Sequence, residues 1–124
     1  MITEDYVSFE TAKLLKNKGF NGVCRYYYPD SHTQLISYLD CKQSDMFGSE
    51  ACIAPTQSMA MKWLREEKRT AIIIEFDVTK RGFCPYVYQF DYDMEWVVKW
   101  RVNTPMKYEE AVEAGIKYCL KNLI

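Results

Sequence analysis

The chain has 124 residues, 48% of them hydrophobic and 27% charged, with only 5 Gly and 4 Pro; this is globular usage and excludes a disordered, collagen-like or low-complexity chain. Its 16 Lys and Arg against 17 Asp and Glu leave a formal charge of −1, which excludes a strong overall pull toward nucleic acid or an anionic membrane. The length suits one compact domain over residues 1–124 with a single core.

The N-terminal run Met1-Ile2-Thr3-Glu4-Asp5-Tyr6 is acidic where a signal peptide is basic and then apolar. No apolar run reaches the roughly 20 residues that a bilayer span needs. The expectation is a cytoplasmic protein with no membrane partner. Ser8 then caps a first helix, Phe9 to Lys18, that turns Phe9, Ala12 and Leu15 inward and stops at Gly19. Val23 to Tyr28 is β-branched and aromatic, Pro29-Asp30-Ser31-His32 is turn chemistry, and Leu35 to Leu39 resumes a strand pattern, so the two runs fit a loose hairpin. Asp40 to Pro55 carries no period around Gly48 and is expected to be a loop, mobile or functional.

Thr56, following Pro55, caps a second helix to Glu67 or Lys68, in which Met59, Ala60, Trp63 and Leu64 share a face. Ala71 to Val78 reads as a strand with Ile72, Ile74 and Phe76 on one side, followed by a turn at Thr79 to Gly82. Two more strands alternate. In Phe83 to Phe90 or Tyr92, the rings of Tyr86, Tyr88, Phe90 and Tyr92 form one row, and in the next strand Trp96, Val98, Trp100 and Val102 form another. Pro85 cannot donate to a ladder and is expected at a strand end, a bulge or an edge. The last helix starts at Thr104-Pro105 or one turn later at Lys107 and runs to Asn122. Its inner face is Tyr108, Ala111, Val112, Gly115, Ile116, Cys119 and Leu123. Gly115 costs about 1 kcal/mol against Ala in a helix interior, a cost that a close approach to the sheet explains. The fold class is therefore α+β, a mainly antiparallel sheet with helices on one face, in the order α-β-β-α-β-β-β-α.

The chemistry-bearing residues give little. Cys24, Cys41, Cys52, Cys84 and Cys119 form no Cys-x-x-Cys pair, and the spacing of Cys24, His32, Cys41 and Cys52 matches no zinc motif. Reduced thiols, no metal and no cofactor are expected. Asp91, Asp93 and Glu95 alternate with Tyr92 and Met94 but lack the remainder of a calcium loop, so a turn is the better account. Phosphate-loop, serine-elbow and His-Glu-x-x-His signatures are missing from the sequence. An enzyme would need a hollow gathering two or more of His32, Cys41, Asp91 and Asp93, and no catalytic residue is expected.

The informative feature is aromatic: 15% of residues, ten of them Tyr. Consecutive strand residues point to opposite faces, so the run Tyr26-Tyr27-Tyr28 must show at least one ring to solvent or a partner. Tyr26, Tyr27, Tyr28, Trp96 and Trp100 are the candidate partner-binding residues, because Tyr and Trp concentrate in protein interfaces. The α-β-β-β-α order of the second half is shared with double-stranded-RNA-binding domains. Its last helix, however, opens with Lys107-Tyr108-Glu109-Glu110, whose carboxylates repel a phosphate backbone.

Three segments, Glu4 to Lys16 with Gly19-Phe20, Ala54 to Glu66, and Tyr108 to Leu120, resemble a group of small phage-type or prophage-associated proteins from gut bacteria. The resemblance implies a small intracellular α+β protein and carries over no catalytic or binding residue; the sequence departs from the group at Lys107, where a Thr cap is usual. The expected function is a non-enzymatic protein-binding or assembly module of phage or prophage type, with a protein partner or self-association. A nucleic-acid-associated accessory factor is the alternative.

Overall fold

The computed structural model describes residues 4–30, 34–46, 50–91, 93 and 95–124. Ser31, His32, Gly48, Tyr92 and Met94, singled out in the sequence, lie outside the described residues, as does the side chain of Leu39. The architecture is α+β, and the expected element order is kept with one short strand added. The strands form two three-stranded antiparallel sheets in place of one. The chain builds two compact units, Met1–Ala60 and Met61–Ile124. Among the described residues, no helix is long and apolar enough to cross a membrane.

In the first unit, α1 (Phe9–Asn17) begins as expected, with the Ser8 hydroxyl accepting the Thr11 amide at 3.3 Å. Gly19, at φ 85°, turns the chain out, because only glycine takes that conformation without cost. Phe20 is buried behind it. The sheet has the order β2-β1-β3, built from β1 (Cys24–Tyr28), β2 (Ile36–Cys41) and β3 (Cys52–Ile53).

The strand β3 lies in the segment expected to be a loop. Gln43 explains why that segment holds together. It sits in a single 3-10 turn, Gln43–Asp45, and its side-chain amide donates to the Ala51 carbonyl at 2.8 Å and accepts the Ile53 amide at 3.2 Å. One carboxamide thus replaces a missing strand neighbour for backbone groups that burial would otherwise leave unsatisfied. Ala51, Cys52, Ile53 and Ala54 are all buried, so this is core and not an idle connection.

Val7 donates to the Pro55 carbonyl at 3.1 Å and Gln57 to that of Asp5 at 2.8 Å. α2 (Gln57–Glu67) follows, and the Thr56 hydroxyl accepts the Met59 amide at 3.1 Å, the cap the sequence announced. Ala60 and Leu64 are buried, whereas Met59, expected beside them, is exposed.

The second unit contains β4 (Thr70–Asp77), β5 (Gly82–Phe90), β6 (Trp96–Arg101) and α3 (Tyr108–Asn122), with strand order β4-β5-β6. Pro85 departs from expectation, since it lies inside the central strand opposite Ile74. Its carbonyl accepts Val102 at 3.1 Å, so its nitrogen also faces the β6 side. There the last β6 partner is Arg101, opposite Tyr86. The missing N–H is therefore directed past the end of β6, and the β4 ladder loses nothing.

α3 starts at the later of the two expected positions, with Lys107 at the cap position but no side-chain capping hydrogen bond. A good cap stabilises a helix by about 1 kcal/mol, whereas each fully buried Val, Leu or Ile contributes about 1.5–3 kcal/mol. Val112, Ile116 and Leu120 are all buried, so packing holds α3 in place. Tyr108, expected inside, is 44% exposed and touches Phe83 edge-on at 5.3 Å.

Gly115 brings α3 close against β4, because a Cβ built there would stand 2.8 Å from Cγ2 of Ile72. That methyl is on a branched carbon and has little room to retreat. Gly115→Ala is expected to destabilise the protein by about 1 kcal/mol, overpacking outweighing the propensity gain. In an Ile72→Ala background the same change should instead stabilise by about 1 kcal/mol. Urea unfolding of the four proteins measures this, and additive effects would contradict the contact.

Candidate functional site

The site follows from a register slip in β6. Val87 pairs with Trp100, yet Tyr88 pairs with Val98, which leaves Lys99 as an extra residue between them. Directly opposed residues on neighbouring strands point to the same face. Trp100 therefore shares the face of Val87, whose β4 partner is Ile72 beneath α3. Val98 and Trp96 share the opposite face with Tyr88 and Phe90. The expected single row of Trp96, Val98, Trp100 and Val102 is thereby divided by a β-bulge, which adds one residue to one strand and reverses the faces beyond it.

On the helix side, Trp100 lies flat against Tyr118, with ring centroids 4.6 Å apart and planes at 7°. On the other side the register lines up Ile73, Tyr86 and Arg101 across the sheet, and next to them Ala71, Tyr88 and Val98. Phe90 and Trp96 follow, with centroids 5.3 Å apart. Ile73 is 49% exposed, Val98 51% and Trp96 49%. Three large apolar side chains on the outer strands, Ile73, Val98 and Trp96, are thus left half in water beside the buried Tyr86 and form an exposed apolar patch.

Two guanidinium groups lie over this face, Arg101 4.7 Å from the centroid of Tyr86 and Arg69 5.6 Å from that of Phe90. Burial and a hydrogen bond to the Glu75 carboxylate push the Tyr86 phenol up from its ordinary pKa, so the ring stays neutral and its hydroxyl donates. The surface thus has an apolar middle with Glu75 and Arg101 beside it. Sequence reasoning missed Ile73 and Arg69. The alternation of β4 could have found Ile73, because it leaves that residue opposite the covered Ile72.

The tyrosine run behaves differently. Tyr28 is buried, its hydroxyl donating to the Val7 carbonyl at 2.7 Å and its ring meeting Phe9 at 5.7 Å. Tyr26 is half-buried against Tyr6, at 4.7 Å, and Tyr27 is half-buried edge-on to Tyr38, at 6.0 Å. These three residues lie in the first unit and the tryptophans in the second. Of the five candidates, Trp96 is the most exposed, at 49%; Tyr28 is buried, and Trp100 is half-buried against the half-buried Tyr118.

Among the described residues weighed for catalysis or metal binding, the cysteines are buried and Asp91 serves a turn. All five cysteines are free and buried. Burial pushes the Cys24 and Cys119 thiols up to about 12, and those of Cys41 and Cys52 also upward. These four are therefore thiols at neutral pH, whereas nucleophilic and metal-binding cysteines are thiolates. Asp91 is a turn residue, since its carboxylate accepts the amides of Asp93 and Glu95 at 3.0 and 3.1 Å. Among the described residues, no group of three His, Cys, Asp or Glu side chains could hold a metal ion.

No protein-family model, curated protein or solved structure matches this chain.

The bulge gives the two tryptophans different weights in stability. Trp100→Ala should cost about 2–3 kcal/mol, the ring losing both burial and its stacking partner. Trp96→Ala should cost less than about 1 kcal/mol. Denaturant unfolding followed by far-ultraviolet circular dichroism ranks them, and equal or reversed costs would contradict the assigned faces.

Proposed function

We propose that the protein is a non-enzymatic protein-binding or assembly module that docks a protein partner on the open face of β4-β5-β6. The observation carrying this reading is the half-exposed set Ile73, Val98 and Trp96 on one face, with Glu75 and Arg101 beside it. Protein interfaces combine an apolar middle rich in aromatic residues and Arg with a charged rim, and a few such anchors dominate the binding energy. Aliphatic Ile73 and Val98 suit a protein surface better than a nucleobase. The likeness of three segments to small phage-type proteins suits an accessory role in assembly, and buried free thiols suit the reducing cytoplasm.

One observation favours the nucleic-acid alternative. Arginines lie over rings of the sheet, and Lys68, Arg69 and Lys99 line a cleft of about 380 Å³ with Phe90. Single strands are held by such stacking and cationic groups. Glu75 on the same face, and the acidic turn Asp91 to Glu95 leading into Trp96, oppose a phosphate backbone.

A photo-cross-linking phenylalanine analogue placed at Val98, in cells making the protein, is expected to yield discrete protein adducts. The same group at the exposed Lys121 of α3 should yield none. Adding Trp96→Ala should reduce the Val98 adducts about tenfold, the loss of one anchor contact. Adduct yields equal at the two positions would overturn the reading. Oligonucleotide adducts, with an affinity that falls steeply as salt rises, would establish the alternative.

A further inference from the structure

In the first unit, Cys24 of β1 and Cys41 of β2 are direct partners in an antiparallel ladder. Opposed residues in such a pair have Cα atoms about 4.5–5.5 Å apart, inside the range of about 4.4–6.8 Å that a disulfide spans. Their side chains share a face, and the Cys41 thiol already donates to the carbonyl of Cys24, with sulfur and oxygen 3.2 Å apart. No other cysteines share a ladder position: Cys52 opposes Tyr28 and Cys84 opposes Glu75. Cys84 also lies on the face away from the Ile72 side, where Gly115 and hence α3 pack, while Cys119 is a buried residue of α3 itself.

We propose that Cys24 and Cys41 are a redox-sensitive pair that closes into a reversible cross-strand disulfide in the presence of a small-molecule disulfide. Cys24 is the entry point, because it lines an open cleft of about 200 Å³ together with Tyr6, Arg25, Asp40 and Pro55. Cys41 is fully buried. The Cys24 thiolate attacks the small disulfide, forming a mixed disulfide and releasing one small thiol. The Cys41 thiolate then attacks Cys24 Sγ, forming the intrachain bond and releasing the second. Both cysteine protons pass to the departing thiols, and the two electrons lost by the cysteines reduce the small disulfide.

Closure would tie the edge strand β2 to β1 next to the register irregularity between Cys24 and Tyr26. Burial, which disfavours the thiolate of each residue, makes closure slow at neutral pH, as suits a pair that answers to sustained oxidation.

The test treats the purified full chain with oxidised glutathione, blocks remaining thiols with iodoacetamide and maps the peptides by mass spectrometry. The expected product is an intrachain link between the Cys24 and Cys41 peptides, two hydrogens lighter, reversed by dithiothreitol, with a thermal midpoint several degrees higher. Cys41→Ser should stop at a mixed disulfide of Cys24 with one glutathione, and Cys41→Ala should do the same if the serine variant folds poorly. Cys52→Ser should leave closure intact. A fully folded protein that stays unlinked, links Cys52 instead, or forms only intermolecular bonds would overturn the proposal.

Discussion

Between Trp100 and Val98 the pairing of β6 with β5 slips by one residue, and the slip determines the character of both sides of the second sheet. A sheet cannot turn two neighbouring tryptophans to the same side when its helix has room to cover only one. With Lys99 taken out of the alternation, Trp100 stacks on Tyr118 under α3, and Trp96 joins Val98, Tyr88 and Phe90 on the far side. Without the extra residue, a period of two would place Trp96, Val98 and Trp100 together. Either α3 would have to cover all three, or the sheet would expose all three. The bulge sends Trp100 to the side of α3 and leaves Val98 and Trp96 half exposed on the other.

The close seat of α3 is the other half of that arrangement. Gly115 brings the helix near enough to Ile72 that a single added methyl would collide, and Tyr118 of the same helix lies flat on Trp100. The first unit solves a different problem. Its third strand has only two residues, Cys52–Ile53, too few to hold by pairing alone, and Gln43 supplies the missing hydrogen bonds from a side chain. Tyr28 adds an anchor from β1 to the N-terminal segment at Val7. Tyrosine here serves as a long apolar side chain with one directed hydrogen bond at its tip.

These particulars mark where the sequence was readable. Helix caps and periods were legible because they depend on residues close in the chain: Ser8, Thr56 and Gly19 act locally, and the α3 positions from Ala111 to Cys119 repeat at helical spacing. The shared side of Ile72, Ile74 and Phe76 in β4 was legible from their alternation, but its burial was not: Ile72 and Ile74 are half-buried and Phe76 is half exposed. The bulge was not, since Trp-Val-Val-Lys-Trp-Arg reads as regular alternation and the slip arises only from pairing with β5. Pro85 was misplaced for the same reason, because whether its missing donor matters depends on where β6 ends. β3 was invisible because a two-residue strand has no period. Of the candidate site, Trp96 was legible, whereas its neighbours Ile73, Arg69 and Arg101 are brought to it only by register.

Solvent access to single tryptophans tests the division of the two faces most directly. The chain has three Trp, so Trp63→Phe combined with either Trp100→Phe or Trp96→Phe leaves one reporter on each side. Acrylamide quenching should be several-fold stronger for the protein retaining Trp96, with redder emission than for the protein retaining Trp100. Equal quenching, or a more accessible Trp100, would show that β6 runs without the slip and that the open face does not exist as described.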